Sequence, residues 1–286
     1  MSFLSKSVRE KIINISGFDY PQYFKERVYK SWFNVKSANW DNQKFRETEL
    51  SDLNENKLIF SHIGKSGGVM LDVGAMFGEC SLPFLLHGNW KVHAFEPDKD
   101  SIKTEKLISL TGRFSDFKLH NLAVTSESGN FIDFFISPES KGISSTLNFT
   151  PQHQKSDTVK TVSLTDFLLE KKIDSVQFLK IDVEGADYEV LKGLNFKKCS
   201  PEVILIEFED RKMAENTKED IVDLLISEGY EVFASIWDPI VRYGVKHSFS
   251  RIEKYPFTIK QNEWGNFIAV DSRNNRFLKT LNLLSK

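Results

Sequence analysis

The sequence predicts an α/β protein: a helical extension over residues 1–68, then a single domain over residues 69–286 built on a seven-stranded βαβ sheet. Three observations predict it. From Val69 onward, short β-branched or apolar runs alternate with amphipathic segments, the signature of strands joined by crossover helices. No strand-like run precedes Val69. The residues that close the runs are mostly acids, and the carboxyl ends of the strands are where an open parallel sheet places its ligands.

Each element follows from its local pattern. Before Gly68 the chain reads as helical and rich in large aromatics, among them Phe18, Tyr20, Tyr23, Phe24, Tyr29, Trp32, Phe33 and Trp40. Packing on the sheet is the default for these rings; a cap over the ligand mouth or a homodimer surface stays open. The expected strands are VMLDV (69–73), KVHAFE (91–96), FKLHNLAV (117–124), VQFLKIDV (176–183), EVILIEF (202–208), YEVFASI (230–236) and NFIAV (266–270). Helices are expected at 79–88, 99–111, 186–194 and 217–228, the last opening on Thr217 with Asp220 three residues on, a capping-box spacing. Between the third and fourth strands, GNFIDFFIS (129–137) and TVKTVSL (158–164) read as an inserted antiparallel pair flanking the loop KGISSTLNF.

Composition narrows the classes. A chain with 40% hydrophobic and 13% aromatic residues has ample material for a core, and its 38 basic and 40 acidic side chains nearly cancel. That balance points away from a nucleic-acid or polyanion partner. Cys80 and Cys199 are too few for a disulfide framework, and no Cys/His cluster marks a structural zinc site. The amino-terminal segment lacks the apolar core of a secretion signal, and no apolar run approaches the roughly 18 residues of a membrane span. The cytoplasm is the default compartment. No internal repeat or low-complexity linker interrupts the chain.

The loop after the first strand narrows the ligand. In MLDVGAMFGECSLPFLL, Gly74 and Gly78 follow Asp72 as D-x-G-x-x-x-G, whereas dinucleotide binders use G-x-G-x-x-G and phosphate loops end in Gly-Lys-[Ser/Thr]. Glu79, not lysine, follows Gly78. Two carboxylates flanking a loop repel a pyrophosphate, so the expected ligand carries positive charge there. Further acids close the strands: Glu96 in AFEPD, Asp182 and Glu184 in KIDVEG, Glu207 in LIEFED. Glu96, ending the next strand, is placed to accept hydrogen bonds from the vicinal hydroxyls of a ribose. NAD suits the ribose but not the acidic loop; S-adenosylmethionine, with a ribose, no phosphate, an ammonium and a sulfonium, suits both.

These pieces, in order DVGAMFG, AFEPD, LAVTSESG, GISSTL, VSLTDFL, FLKIDVEGADYEVLKG and PEVILIE, resemble the FkbM family of S-adenosylmethionine-dependent methyltransferases over roughly residues 69 to 210. The resemblance implies the class I methyltransferase fold, a Rossmann-like seven-stranded sheet, here with the helical extension in front and the β insertion between strands three and four. It implies O-methylation of a hydroxyl on a small molecule or glycan, with carbohydrate the expected acceptor. Carried over by position, Asp72, Gly74, Ala75, Phe77 and Gly78 wrap the methionine part, Glu96 holds the ribose, and Ala123 and Val124 border the adenine. Ser81, in the first helical turn, is placed to donate to the cofactor carboxylate. The family pattern has Asn where this chain has Met76.

Methyl transfer needs an in-line acceptor whose proton is taken or whose oxygen is polarised. Asp182 and Glu184, two apart in an extended segment, face one way and are the expected catalytic carboxylates, with Asp182 also touching the cofactor. Glu207 ends the neighbouring strand. Two routes stay open. Asp182 and Glu207 can hold Mg or Mn, or a carboxylate or one of His120, His153 and His247 can act directly as base. The loops expected to meet the acceptor are 141–155 and 237–264, the second carrying Trp237, Arg242, Tyr243, His247, Arg251 and Trp264. Rings beside polar groups suit a sugar; a small folded core suits the pattern equally. Two rival readings remain: a non-catalytic S-adenosylmethionine-binding partner protein, and a Rossmann-type nucleotide-sugar enzyme.

Overall fold

The structure is a computed structural model that describes residues 40–50, 53–87, 89–99, 107–108, 110–137, 144–213, 217–240 and 247–285. Phe18 through Phe33, most of the expected helix at 99–111, and Arg242 and Tyr243 lie outside the described residues.

Two helices, α1 (Gln43–Leu50) and α2 (Glu55–Ile63), precede the sheet. Asn54 caps α2 by accepting from the Lys57 N–H at 2.9 Å. The sheet then follows as β1 (Gly68–Val73), α3 (Ser81–His87), β2 (Trp90–Phe95), β3 (Phe117–His120), β4 (Ala123–Val124), β5 (Phe131–Ile136) and β6 (Gln154–Val162). The chain continues through α4 (Leu164–Lys171), β7 (Phe178–Ile181), α5 (Asp187–Lys192), β8 (Val203–Glu209), α6 (Thr217–Ser227) and β9 (Tyr230–Trp237). It closes with β10 (Phe249–Lys254), β11 (Trp264–Asp271) and α7 (Asn275–Leu284).

The main sheet runs β10-β9-β11-β8-β7-β1-β2-β3. Strands β3, β2, β1, β7 and β8 pair in parallel, while β11 inserts antiparallel between β8 and β9. The sheet therefore has eight strands rather than seven. The additional one, β10, pairs antiparallel with β9 from within the connection expected to be a loop. Its sequence FSRIEK buries only Ile252, so it carries too little apolar alternation to announce itself. The run 117–124 also divides: β3 stays in the main sheet, and β4 joins β6 and β5 in a three-stranded insertion ordered β4-β6-β5. The antiparallel β5–β6 pair is present, and β4 adds a parallel partner to it.

Side chains alternate across the strands and feed two cores. On one face Met70, Phe84, Trp90, Phe178, Phe233 and Phe277 pack with Leu58, Ile59 and Phe60 of α2. On the other, Leu71, Phe95, Phe167, Leu179, Ile206 and Phe267 pack with residues of α4, α5 and α6. Burying each such ring contributes about 1.5–3 kcal/mol. Glu55, at the start of α2, is buried against the far side of the sheet, where Ser235 Oγ (2.6 Å), Trp237 Nε1 (2.8 Å) and Asn266 Nδ2 (3.3 Å) all donate to its Oε1. Both cysteines are free thiols. Among the described residues no helix is long and apolar enough to cross a membrane.

Candidate functional site

At the carboxyl ends of β1, β2 and β7 the chain leaves an open cleft of about 630 Å³, its mouth included. Gly74, Met76, Phe95, Glu96 and Pro97 form one wall, Leu122, Ala123 and Val124 the floor, and Ser144, Ser145, Thr146, Asp182, Val183 and Glu184 the opposite wall.

Two close approaches shape it. A Cβ on Gly74, whose φ is +79, would lie 1.8 Å from the Asp182 carbonyl oxygen, so only glycine lets the cofactor loop press against the end of β7. The Gly74 and Ala75 N–H groups both reach the Phe95 carbonyl at 3.0 Å, and the Met76 N–H donates to Glu96 Oε2 at 2.9 Å. The Asp98 N–H donates to Glu96 Oε1 at 2.9 Å, so two backbone groups help hold this buried carboxylate, which lines the cleft. Met76 sits in the left-handed region at φ 51, a conformation Asn adopts more readily, and its contact here is made by its backbone N–H.

The remaining cofactor-loop residues stand behind the wall. Asp72 is fully buried on the sheet face, where Ser81 Oγ donates to its Oδ2 at 2.6 Å. The single hydroxyl proton of Ser81 is thus engaged, and neither residue lines the cleft. Ala75 and Phe77 are buried, and Gly78 turns back on the loop with its N–H on the Ala75 carbonyl at 2.7 Å. The loop's negative charge is balanced internally. Lys180, buried in β7, donates to the Gly74 carbonyl at 2.9 Å and stands 3.7 Å from Asp72 Oδ1 and 3.2 Å from Asp182 Oδ2. Burial alone would weaken its charged form, but Asp182 and Asp72 outweigh burial and raise its pKa.

The ends of β7 and β8 gather the three expected carboxylates. Asp182, Glu184 and Glu207 each bring an oxygen within 4.8 Å of the others, a set able in principle to hold a metal ion. Asp187 makes the turn that positions Glu184: its carboxylate accepts the Val183 N–H at 3.0 Å and the Gly185 N–H at 2.9 Å, and Glu184 takes φ 59 between them. Ser145, from the insertion, donates to the Glu184 carbonyl at 2.8 Å and pins that loop over the end of β7. A second buried lysine enters the group. Lys212 Nζ lies 2.5 Å from Glu184 Oε2, 2.8 Å from Glu209 Oε2 and 3.1 Å from Glu207 Oε2.

Burial, together with Asp182, pushes Glu184 up to about 7 against the pull of Lys212. Burial likewise raises Asp187 to about 6 and Glu207 well above the usual carboxylate range. Asp182 keeps 37% of its side chain exposed and is the acid most open to an incoming molecule.

None of His120, His153 and His247 lines the cleft. His120 packs edge-on to Phe167 with its Nε2 3.0 Å from His93 Nδ1, His153 sits edge-on to Phe149, and His247 edge-on to Trp264. In the 237–264 connection, Trp237 donates to Glu55, Trp264 to the Asp238 carbonyl, and Arg251 clamps Glu263. These side chains hold the connection together. Lys180 was legible as a lysine inside an apolar strand two positions before Asp182; Lys212, in the turn after β8, left no signal.

This strand order, with β11 antiparallel between β8 and β9, a glycine loop after β1 and an acid following β2, is an α/β arrangement of the class I methyltransferase kind. The sequence matches the methyltransferase FkbM domain over residues 72–232, more than half of the chain, and the protein belongs to that family. A search of curated proteins returned no match. Among solved structures, the chain is similar to precorrin-6y C5,15-methyltransferase from Geobacter metallireducens (15% identity, covering 80% of this chain and 90% of that one, TM-score 0.35). It is also similar to a SAM-dependent O-methyltransferase from Thermotoga maritima (12%, 88% and 72%, TM-score 0.38). A third is the Methanococcus jannaschii fibrillarin pre-rRNA processing protein (11%, 78% and 75%, TM-score 0.40).

Proposed function

We propose that this methyltransferase moves the methyl group of S-adenosylmethionine to a hydroxyl of a sugar, glycan or glycosylated metabolite. Residues 69–286 act as the catalytic domain, and α2, from the stretch before the sheet, completes its core. The observation that carries the proposal is the juxtaposition of Glu96 and Asp182 across one cleft. The Glu96 carboxylate, which accepts the Met76 and Asp98 N–H groups, lines the cleft where a ribose hydroxyl would donate to it. Phe95, Leu122, Ala123 and Val124 supply an apolar slot for the adenine, and the Gly74–Met76 backbone borders the methionine part. Asp72, Ala75, Phe77, Gly78 and Ser81 act from behind by fixing the loop.

Asp182 then stands where the sulfonium methyl would meet an acceptor. It is exposed enough to accept a hydroxyl proton as that oxygen attacks, a contribution of about 10²–10⁴ in rate. Glu184, held near 7, is poised to receive or relay the same proton, and Glu207 steadies Lys212 beside it.

Calorimetric titration with S-adenosylmethionine and NAD, followed by S-adenosylhomocysteine release over a panel of sugars and glycans, tests the reading. Micromolar binding of the methyl donor, none of NAD, and release dependent on a hydroxyl acceptor are expected. Binding of the donor with no release on any acceptor would favour a non-catalytic partner protein; preference for a nucleotide-sugar would overturn the donor assignment.

A further inference from the structure

We infer that Lys212 is a built-in counter-ion bridging Glu184 and Glu207, two of the three carboxylates that with Asp182 could ligate a divalent metal, so that methyl transfer at this site needs no metal ion. The inference rests on the methyl-transfer reading of the cleft and deepens it. Three carboxylates converging within 4.8 Å resemble the hard-oxygen donor set of a magnesium site. Such acids repel one another unless a cation or shared proton intervenes. Here the cation is covalently part of the chain.

Its placement is fixed from several directions. The Lys212 side chain is 3% exposed, and its ammonium hydrogen-bonds Glu207 and lies within ion-pair distance of Glu184 and Glu209. Arg211 engages the other oxygen of Glu209 through Nε at 2.8 Å and so leaves Oε2 to Lys212. The backbone is held too: the Lys212 N–H reaches the Glu209 carbonyl at 3.0 Å. Its own carbonyl lies where a Cβ on Gly185 would come within 2.5 Å, a contact that glycine alone permits at φ +102. Cations of the chain already offset part of this charge: Lys212 and Arg211 face Glu184, Glu207 and Glu209, and Lys180 is shared between Asp182 and Asp72. A divalent ion bound to Glu184 and Glu207 would have to share both with the ammonium and bear its repulsion.

Lys212→Met keeps much of the bulk and removes the charge, which should turn the cluster into a metal site. The experiment is Mn²⁺ titration followed by electron paramagnetic resonance on the wild type, Lys212→Met, and Lys212→Met combined with Glu207→Gln. Turnover with and without EDTA is measured alongside. The wild type is expected to show no saturable Mn²⁺ binding below about 1 mM and the same turnover in chelator. Lys212→Met is expected to gain one Mn²⁺ site, at least about tenfold tighter than anything in the wild type, and Glu207→Gln to abolish it.

A lysine with a merely structural role would lower stability without creating that site, so a folded Lys212→Met that binds no Mn²⁺ overturns the inference. A tight wild-type Mn²⁺ site weakened by Glu207→Gln, or turnover lost in EDTA and restored by Mg²⁺ or Mn²⁺, overturns it as well. Should Lys212→Met fail to fold, the wild-type measurements decide. Because Mn²⁺ binding is read without an acceptor, failure of the hydroxyl-transfer reading would show only in the S-adenosylhomocysteine assay.

Discussion

Glu96, on the side of the cleft proposed to take the cofactor, accepts the N–H groups of Met76 and Asp98, whereas Asp182, Glu184 and Glu207, on the side proposed to take the acceptor, lean on the ammonium groups of Lys180 and Lys212. The two walls solve the same problem, a buried negative charge, by different means. A backbone-held carboxylate is fixed by the loop that carries it. A lysine-held carboxylate depends on a side chain from elsewhere and can be unbalanced by a single substitution. The cofactor wall is accordingly a rigid receptor, and the acceptor wall a tuned electrostatic site.

The largest expected effect comes from breaking the lysine that joins the walls. Lys180→Met strands fully buried Asp72 without its counter-charge and should lower stability by about 3–5 kcal/mol, measured by denaturant unfolding. A near-neutral result would show that Ser81 alone holds that carboxylate. Next, Asp182→Asn preserves shape and should cut turnover about 100-fold or more while leaving S-adenosylmethionine affinity within a few-fold. Normal turnover with any acceptor would remove the chemistry from the end of β7. Smaller again, Glu96→Ala should weaken donor binding at least about tenfold by calorimetry, through lost ribose bonds and a loosened Met76 N–H. Unchanged affinity would break the ribose assignment.

The smallest effect is also the sharpest contrast between the walls, because their buried titratable groups push stability in opposite directions. His93 and His120, beside the cofactor wall, are both lowered to about 4, chiefly by burial. The folded state keeps them neutral, so their contribution is complete above the unfolded value near 6.5 and is lost as pH falls toward 4. Asp187, under the acceptor wall, is raised to about 6 by burial; its charged form is the costly one, and stability is gained as pH falls through 6. Thermal midpoints at pH 7 and 5 should therefore drop less for His120→Gln than for the wild type, and more for Asp187→Asn. Each group can change the slope by up to about 1.4 kcal/mol per pH unit. Parallel changes in the two variants would show that the walls do not differ in this way.

What the sequence disclosed follows the same division. β1, β7 and β8 are continuous apolar runs ending in acids, and the glycine loop with Glu96 is a local pattern, so their places in the sheet and the position of Glu96 in the cleft were legible. Asp182, Glu184 and Glu207 could be expected together because their strands are neighbours in a parallel sheet. That Asp72 and Ser81 face each other behind the wall was not legible, since the loop's charge was reckoned without Lys180 across the β1–β7 pairing. Lys212 was hidden for a simpler reason: its role comes from a turn closing against Gly185, a contact with no periodicity. The ring-rich 237–264 connection offered two readings, and hydrogen bonds from Trp237 and Trp264, with the Arg251–Glu263 clamp, favour the structural one.

Glu55 bears on how the chain reaches this state during synthesis. Its partners Ser235, Trp237 and Asn266 follow it by 180, 182 and 211 residues, so α2 leaves the ribosome long before anything exists to receive its carboxylate. At about 5–20 residues per second that delay is roughly 10–40 s, during which Leu58, Ile59 and Phe60 have no completed sheet to cover them. The first described helices are thus among the last pieces to lock. A nascent chain arrested before β9 would carry the Glu55 carboxylate without any of the three donors that receive it.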